Sequence, residues 1–178
     1  MIDQCRIKCP HCFKVYDNAT GQAVVTPKTY GRSITKSQLP EGLARFFPVG
    51  SSNAGEPSLG LPVRLLLPIL HGIRDDVAEI REILSTVEVR MVGASVLITY
   101  EGDWTRAKEA LQWIEEDEED EDESDDEEKP GPPYVVKLID FAHTRITLGK
   151  GPDEGVLFGL DTLLGLIDGR IEQLTLDN

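Results

Sequence analysis

Apolar residues recur every three or four positions at Leu66, Ile69, Leu70, Ile73, Val77, Ile80, Leu84 and Val87. That spacing draws one apolar stripe on a helix. Arg74, Asp75, Glu79, Arg81 and Glu82 fall on the other faces. The pattern predicts an amphipathic helix over 63–87 packed on a core, and core packing accounts for the stripe without a cofactor. Ala107, Leu111 and Ile114 predict a second helix over 103–114, and Leu157, Leu160, Leu164 and Ile167 a third over 154–168. Leu39 to Phe47 reads as a shorter one. Two stretches instead are β-rich: Val89 to Tyr100, and Tyr134-Val-Val-Lys-Leu-Ile-Asp140. Strands over 89–101 and 134–140 are expected as antiparallel neighbours in one sheet. Phe13-Lys-Val-Tyr16 and Ala23-Val-Val-Thr26 flank Asp17-Asn-Ala-Thr-Gly21, whose turn residues predict a hairpin. Pro48 to Pro57 is a loop by composition. The class predicted is α+β, an antiparallel sheet with packed helices.

Composition changes this picture little. The 178 residues suffice for one domain of ordinary size, and aromatics at 6% argue for an aliphatic core. The net charge of −14 misleads. Of the 32 acids, thirteen lie among the fourteen residues from Glu115 to Glu128, which leaves 19 against 18 bases elsewhere. Such a run repels itself and buries nothing, so a disordered acidic insert is expected over 115–133, ended by Lys129-Pro-Gly-Pro-Pro133. A solvated excursion is the plainer account of it. A basic protein partner is the sharper one, and Ser124-Asp-Asp-Glu-Glu128 also looks like a target for an acidophilic kinase. No apolar run approaches a membrane span and the start lacks an apolar secretory core. The expectation is an intracellular protein, in nucleus or cytoplasm, with neither membrane nor direct nucleic-acid partners.

The cysteines are Cys5, Cys9 and Cys12. Cys9-Pro-His-Cys12 has the spacing of half a zinc knuckle, but no second half follows. An odd count with no secretory start argues against a disulfide framework.

The informative feature is the strand ending in Asp140. A carboxylate at the end of a buried strand is held rigidly, as phosphoryl transfer requires of a metal ligand. Alone it reads more simply as a strand-terminating Asp that caps a turn. Further segments stand with it: Phe13-Lys-Val-Tyr16 with Thr20-Gly21, Lys28-Thr-Tyr-Gly-Arg32, Ala94-Ser-Val-Leu-Ile-Thr-Tyr-Glu101, Ile139-Asp-Phe-Ala-His-Thr144 and Gly151-Pro-Asp-Glu-Gly-Val-Leu-Phe-Gly-Leu160. In this order they resemble the inositol polyphosphate kinase family, most nearly its multikinase and hexakisphosphate-kinase branches.

The resemblance implies the C-lobe of a two-lobed kinase, related to protein kinases and SAICAR synthase-like, with the N-lobe missing. It implies ATP-dependent phosphorylation of inositol polyphosphates with Mg²⁺. Asp140 and Ser95 would bind metal and nucleotide, and His143 the inositol phosphate. Lys28 and Arg32 are candidates for substrate phosphates, with a structural role as the simpler reading. Asp153 would cap the last helix, and Glu154 would favour its dipole. The sequence departs from the family at Ala94, where a first serine is usual. It also carries no Pro-x-x-x-Asp-x-Lys-x-Gly motif, so no catalytic acid or lysine is assigned. The chain is therefore expected to be a C-terminal portion. The alternative is an inactive kinase-like fragment working as a nuclear interaction module through its acidic tract.

Overall fold

The structure, a computed structural model, describes residues 5–7, 13–50, 59–117 and 131–177. Cys9, Cys12 and most of the acidic run lie outside them. Strand β1 (Cys5–Ile7) precedes the hairpin of β2 (Phe13–Asp17) and β3 (Gln22–Thr26). Asp17 closes the turn: its carboxylate accepts from the Ala19 N–H at 3.0 Å and the Thr20 hydroxyl at 2.7 Å. Asn18 ties the hairpin to helix α4 (Trp104–Asp117). Its Nδ2 donates to the Gly102 carbonyl at 2.9 Å and its Oδ1 accepts from the Trp104 N–H at 3.0 Å.

Helices α1 (Lys28–Ser33) and α2 (Leu39–Phe46) follow the hairpin. The first has no sequence signature, since six residues around a glycine show no period. Packing decides it: Tyr30 and Ile34 close over Gly42 of α2.

Helix α3 (Val63–Thr86) is the main support, burying Leu65, Leu66, Ile69, Leu70, Ile73 and Val77. Val87, expected on its stripe, lies past the helix end and is exposed. α3 packs on α5 (Glu154–Leu176). Arg74 Nε donates to Asp168 at 3.0 Å and Arg81 Nε to Asp161 at 2.8 Å. The paired positions rise on one helix as they fall on the other, so the two run antiparallel. α5 continues past the expected end at 168. Gly169 does not stop it, because Arg170 and Leu174 beyond it are buried. Arg170 Nη2 donates to the Phe47 carbonyl at 2.8 Å and so joins α5 to the end of α2.

The main sheet has the order β1-β5-β6, with β5 (Ser95–Tyr100) central and β6 (Tyr134–Ile139) antiparallel to it, as expected. Three expectations need correction. The strand foreseen over 89–101 is two strands, β4 (Val89–Met91) and β5, because β4 leaves the sheet to pair with β7 (Thr144–Ile146). The core is also not purely aliphatic. Phe13, Phe46, Phe47 and Tyr100 form one aromatic knot with ring centroids 4.5–5.5 Å apart, and the Tyr100 hydroxyl donates to the Phe46 carbonyl at 2.7 Å. Few aromatics suffice when the fold gathers them. The acidic run begins as helix, since α4 reaches Asp117 rather than stopping at 114. No described helix is long and apolar enough to cross a membrane.

Candidate functional site

β5 and β6 pair from Tyr100↔Tyr134 down to Ser95↔Ile139. There the ribbon breaks, and it resumes as β4 against β7 with Met91↔Thr144. Between these pairs lie Val92–Ala94 on one strand and Asp140–His143 on the other. The second stretch is longer by one residue, the imbalance that defines a bulge. Asp140 absorbs it in the left-handed conformation, φ 67° and ψ 52°. It is the one non-glycine residue with positive φ among the described residues. Asp tolerates that region better than most side chains. Phe141–His143 then make a single 3₁₀ turn.

The bulge brings three of the candidates to one end of the sheet. Ser95 opens β5 opposite Ile139 and is only 7% exposed. Asp140 follows Ile139 and is half-buried. His143 ends the turn, exposed, and its carbonyl accepts from the Val92 N–H at 3.4 Å. Lys28 and Arg32 lie on α1, outside the ribbon. Both are exposed on α1, and neither makes a hydrogen bond or ion pair to the other three among the described residues.

Behind Ser95 a cavity of about 630 Å³ opens between the strands and α5, lined by Met91, Leu138, Asp153, Leu163 and Leu166 among others. Asp153 serves as the helix cap it was expected to be. Its carboxylate accepts from the N–H of Gly155 at 3.1 Å and Val156 at 3.3 Å, and also from Met91 at 2.9 Å. The Met91 N–H first, then those of Val156 and Gly155 and the Arg90 charge, hold its carboxyl below the usual range.

Sequence reasoning missed Glu88 and Arg90. Glu88 accepts from the Gly149 N–H at 2.8 Å and the Gly151 N–H at 3.0 Å. These bonds, with the Arg90 charge adding, push its carboxyl down. Arg90 donates to the carbonyls of Val89, Gly151 and Lys150 at 2.7, 2.9 and 2.8 Å. Their spacing by two was the available signal, because it puts both on one face of a strand.

The family model for inositol polyphosphate kinase matches residues 10–168. The chain belongs to the inositol polyphosphate kinase family. It is 37% identical over 101 residues to an inositol polyphosphate multikinase of Saccharomyces cerevisiae, a match covering 44% of this chain and 28% of that protein. It is 29% identical over 163 residues to inositol hexakisphosphate kinase 3 of Mus musculus, covering 86% of this chain and 35% of the relative. The chain thus spans about a third of the length of these relatives. Among solved structures, the S. cerevisiae inositol phosphate multikinase in complex with ADP and Mn²⁺ superposes with a TM-score of 0.59 at 26% identity, over 88% of this chain and 55% of that one. A second inositol phosphate multikinase structure gives 0.58 at 21% identity, over 89% and 60%, and supports the fold. The chain therefore matches a little over half of the length of these solved chains.

Proposed function

We propose that this chain carries the metal- and nucleotide-binding part of an enzyme that transfers phosphate from ATP to inositol polyphosphates. The observation that carries the reading is the bulge, which sets Asp140 beside the end of the strand that Ser95 opens. The S. cerevisiae relative was solved with ADP and Mn²⁺, and the same chemistry suits these residues. Among the described residues no group of three or more His, Cys, Asp or Glu could cage a metal. Mg²⁺ needs no cage: one or two carboxylates, water and substrate phosphates complete its shell. The Asp140 carboxylate and the Ser95 hydroxyl are oxygen donors of that kind. A divalent ion held there would supply charge neutralisation to the nucleotide phosphates.

The chain's own residues then have separable tasks. Asp140 and Ser95 would hold the ion beside the nucleotide phosphates. His143 stands exposed past the bulge, where its imidazole can donate to an inositol hydroxyl or phosphate. Lys28 and Arg32 stay secondary candidates for substrate phosphates. The test is turnover by the purified chain with ATP, Mg²⁺ and inositol tris- to hexakisphosphates, resolved by anion-exchange chromatography, beside Asp140→Asn. Phosphorylated product that falls on the order of a hundredfold in Asp140→Asn supports the reading. Equal product from both refutes it. Where the chain alone gives no product, Mn²⁺–ADP binding decides, and binding that is absent or that Asp140→Asn leaves unweakened refutes it.

A further inference from the structure

The β4–β7 ribbon has three residues in each strand, and so short a ribbon is marginal in water by itself. The β7 side packs little: Ile146 is 75% exposed and the adjoining Leu148 82%, while the β4 residues are half-buried. What fixes it is a lock of side chains. Glu88 takes the N–H groups of Gly149 and Gly151, and its own carbonyl takes the Thr147 N–H at 2.8 Å. Arg90 takes the carbonyls of Lys150 and Gly151. Asp153 reaches back from α5 to the Met91 N–H. Arg90 thereby stands electrostatically between two carboxylates, and β4 is bonded along its length to the segment leading into α5.

The consequence falls on the bulge. Its near arm, Ser95 with Ile139, belongs to the core sheet. Its far arm, Met91 with Thr144, is held only as well as the lock holds β4. Asp140 adjoins the near arm and His143 the far one. Loosening the lock therefore frees His143 first and leaves Asp140 and Ser95 in place.

We propose that Glu88 and Arg90 are positioning residues that fix His143 for the inositol phosphate acceptor, acting through β4–β7 and the 147–153 segment. This rests on the kinase reading, and it predicts a split between the two substrates that loss of fold would not produce.

The experiment compares the chain with Glu88→Gln, Arg90→Met and Arg90→Lys. A Gln side chain has one oxygen to accept where the carboxylate offers two, and Lys keeps the charge with a less suited donor set. The acceptor KM should rise on the order of tenfold in Glu88→Gln and Arg90→Met, as for supporting residues that orient a ligand-binding group. The KM for ATP should stay within about twofold, and Arg90→Lys should recover part of the loss. Amide exchange should quicken at Val92 and Gly151 and stay unchanged at Leu97 and Ile98. Equal changes in both KM values, or faster exchange with an unchanged acceptor KM, would overturn the proposal. If the unaltered chain shows no turnover, Mn²⁺–ADP binding tests the kinase reading separately, and its absence would sink that reading without touching this one. The His143 imidazole resonances then decide: displacement in Glu88→Gln and Arg90→Met supports a positioning role, and unmoved resonances reject it.

Discussion

Asp140 does two jobs that pull on different atoms. Its carboxylate is the candidate metal ligand, while its backbone supplies the left-handed residue that absorbs the extra position in the ribbon. The two can be separated by substitution. Asp140→Gly and Asp140→Ala both remove the carboxylate, so their difference isolates the backbone. A residue with a Cβ pays about 1 kcal/mol or more in this region, and glycine does not. Urea unfolding should therefore find the Ala variant less stable than the Gly variant by about that amount. Equal midpoints would mean that the turn relaxes out of the left-handed region once the carboxylate is gone. Asp140→Asn should keep the turn, because Asn tolerates the same conformation. That makes it the cleaner variant for the activity test.

At the scale of elements, the contact between α3 and β6 is the tightest that a single substitution can probe. A Cβ built on Gly72 would meet the Tyr134 ring at 2.1 Å from Oη and 2.3 Å from Cζ. Helix propensity favours alanine over glycine by about 1 kcal/mol, so sterics and propensity oppose each other in Gly72→Ala. Overpacking by a methyl typically costs 1–3 kcal/mol, and here the obstacle is a ring anchored in a strand, so destabilisation should win. Tyr134→Leu should remove the clash and make Gly72→Ala neutral or favourable, a coupling measurable in a double-mutant cycle. If Gly72→Ala is destabilising to the same degree in both backgrounds, the ring is not the cause. α3 was visible in the sequence because it keeps one period over its length, and β6 because it is an unbroken β-prone run. The break between β4 and β5 was not. Val92-Gly-Ala94 continues the apolar run, and only the positive φ of Gly93 marks a change. The one-residue imbalance belongs to a pairing of two strands distant in sequence, and neither strand shows it alone. Ser95, Asp140 and His143 came from family motifs, whereas Glu88 and Arg90 read as ordinary surface charge until the loop they hold is seen.

For the whole molecule, the fold and the acidic run must be separated before any pH effect is interpreted. The net charge of −14 comes chiefly from the run between Glu115 and Glu128. The folded part instead holds three carboxylates below their usual range. Glu88 and Asp153 are held down chiefly by backbone N–H groups, and Asp161 by its hydrogen bond from Arg81. A carboxyl depressed in the folded state stabilises it fully above its unfolded pKa, about 4, and that contribution is lost as pH falls through the lower folded value. Asp76 has the opposite sign. Desolvation first, then Glu79 and Asp75, raise its pKa, so it costs stability at neutral pH and relieves that cost on acidification. Three groups against one predict a net loss in acid. The urea midpoint should hold steady from neutrality to about pH 5 and fall below about pH 4. Glu88→Gln should start lower at neutrality and fall less, because one of the titrating contributions is already gone. Deleting 118–128 should leave the acid loss in place, since none of the three carboxylates lies there. A flat midpoint that becomes an acid loss on deletion would show that relief of charge repulsion in the run offsets the three carboxylates. An acid loss that disappears with the deletion would show that favourable interactions of the charged run, and not these carboxylates, govern the response to acid.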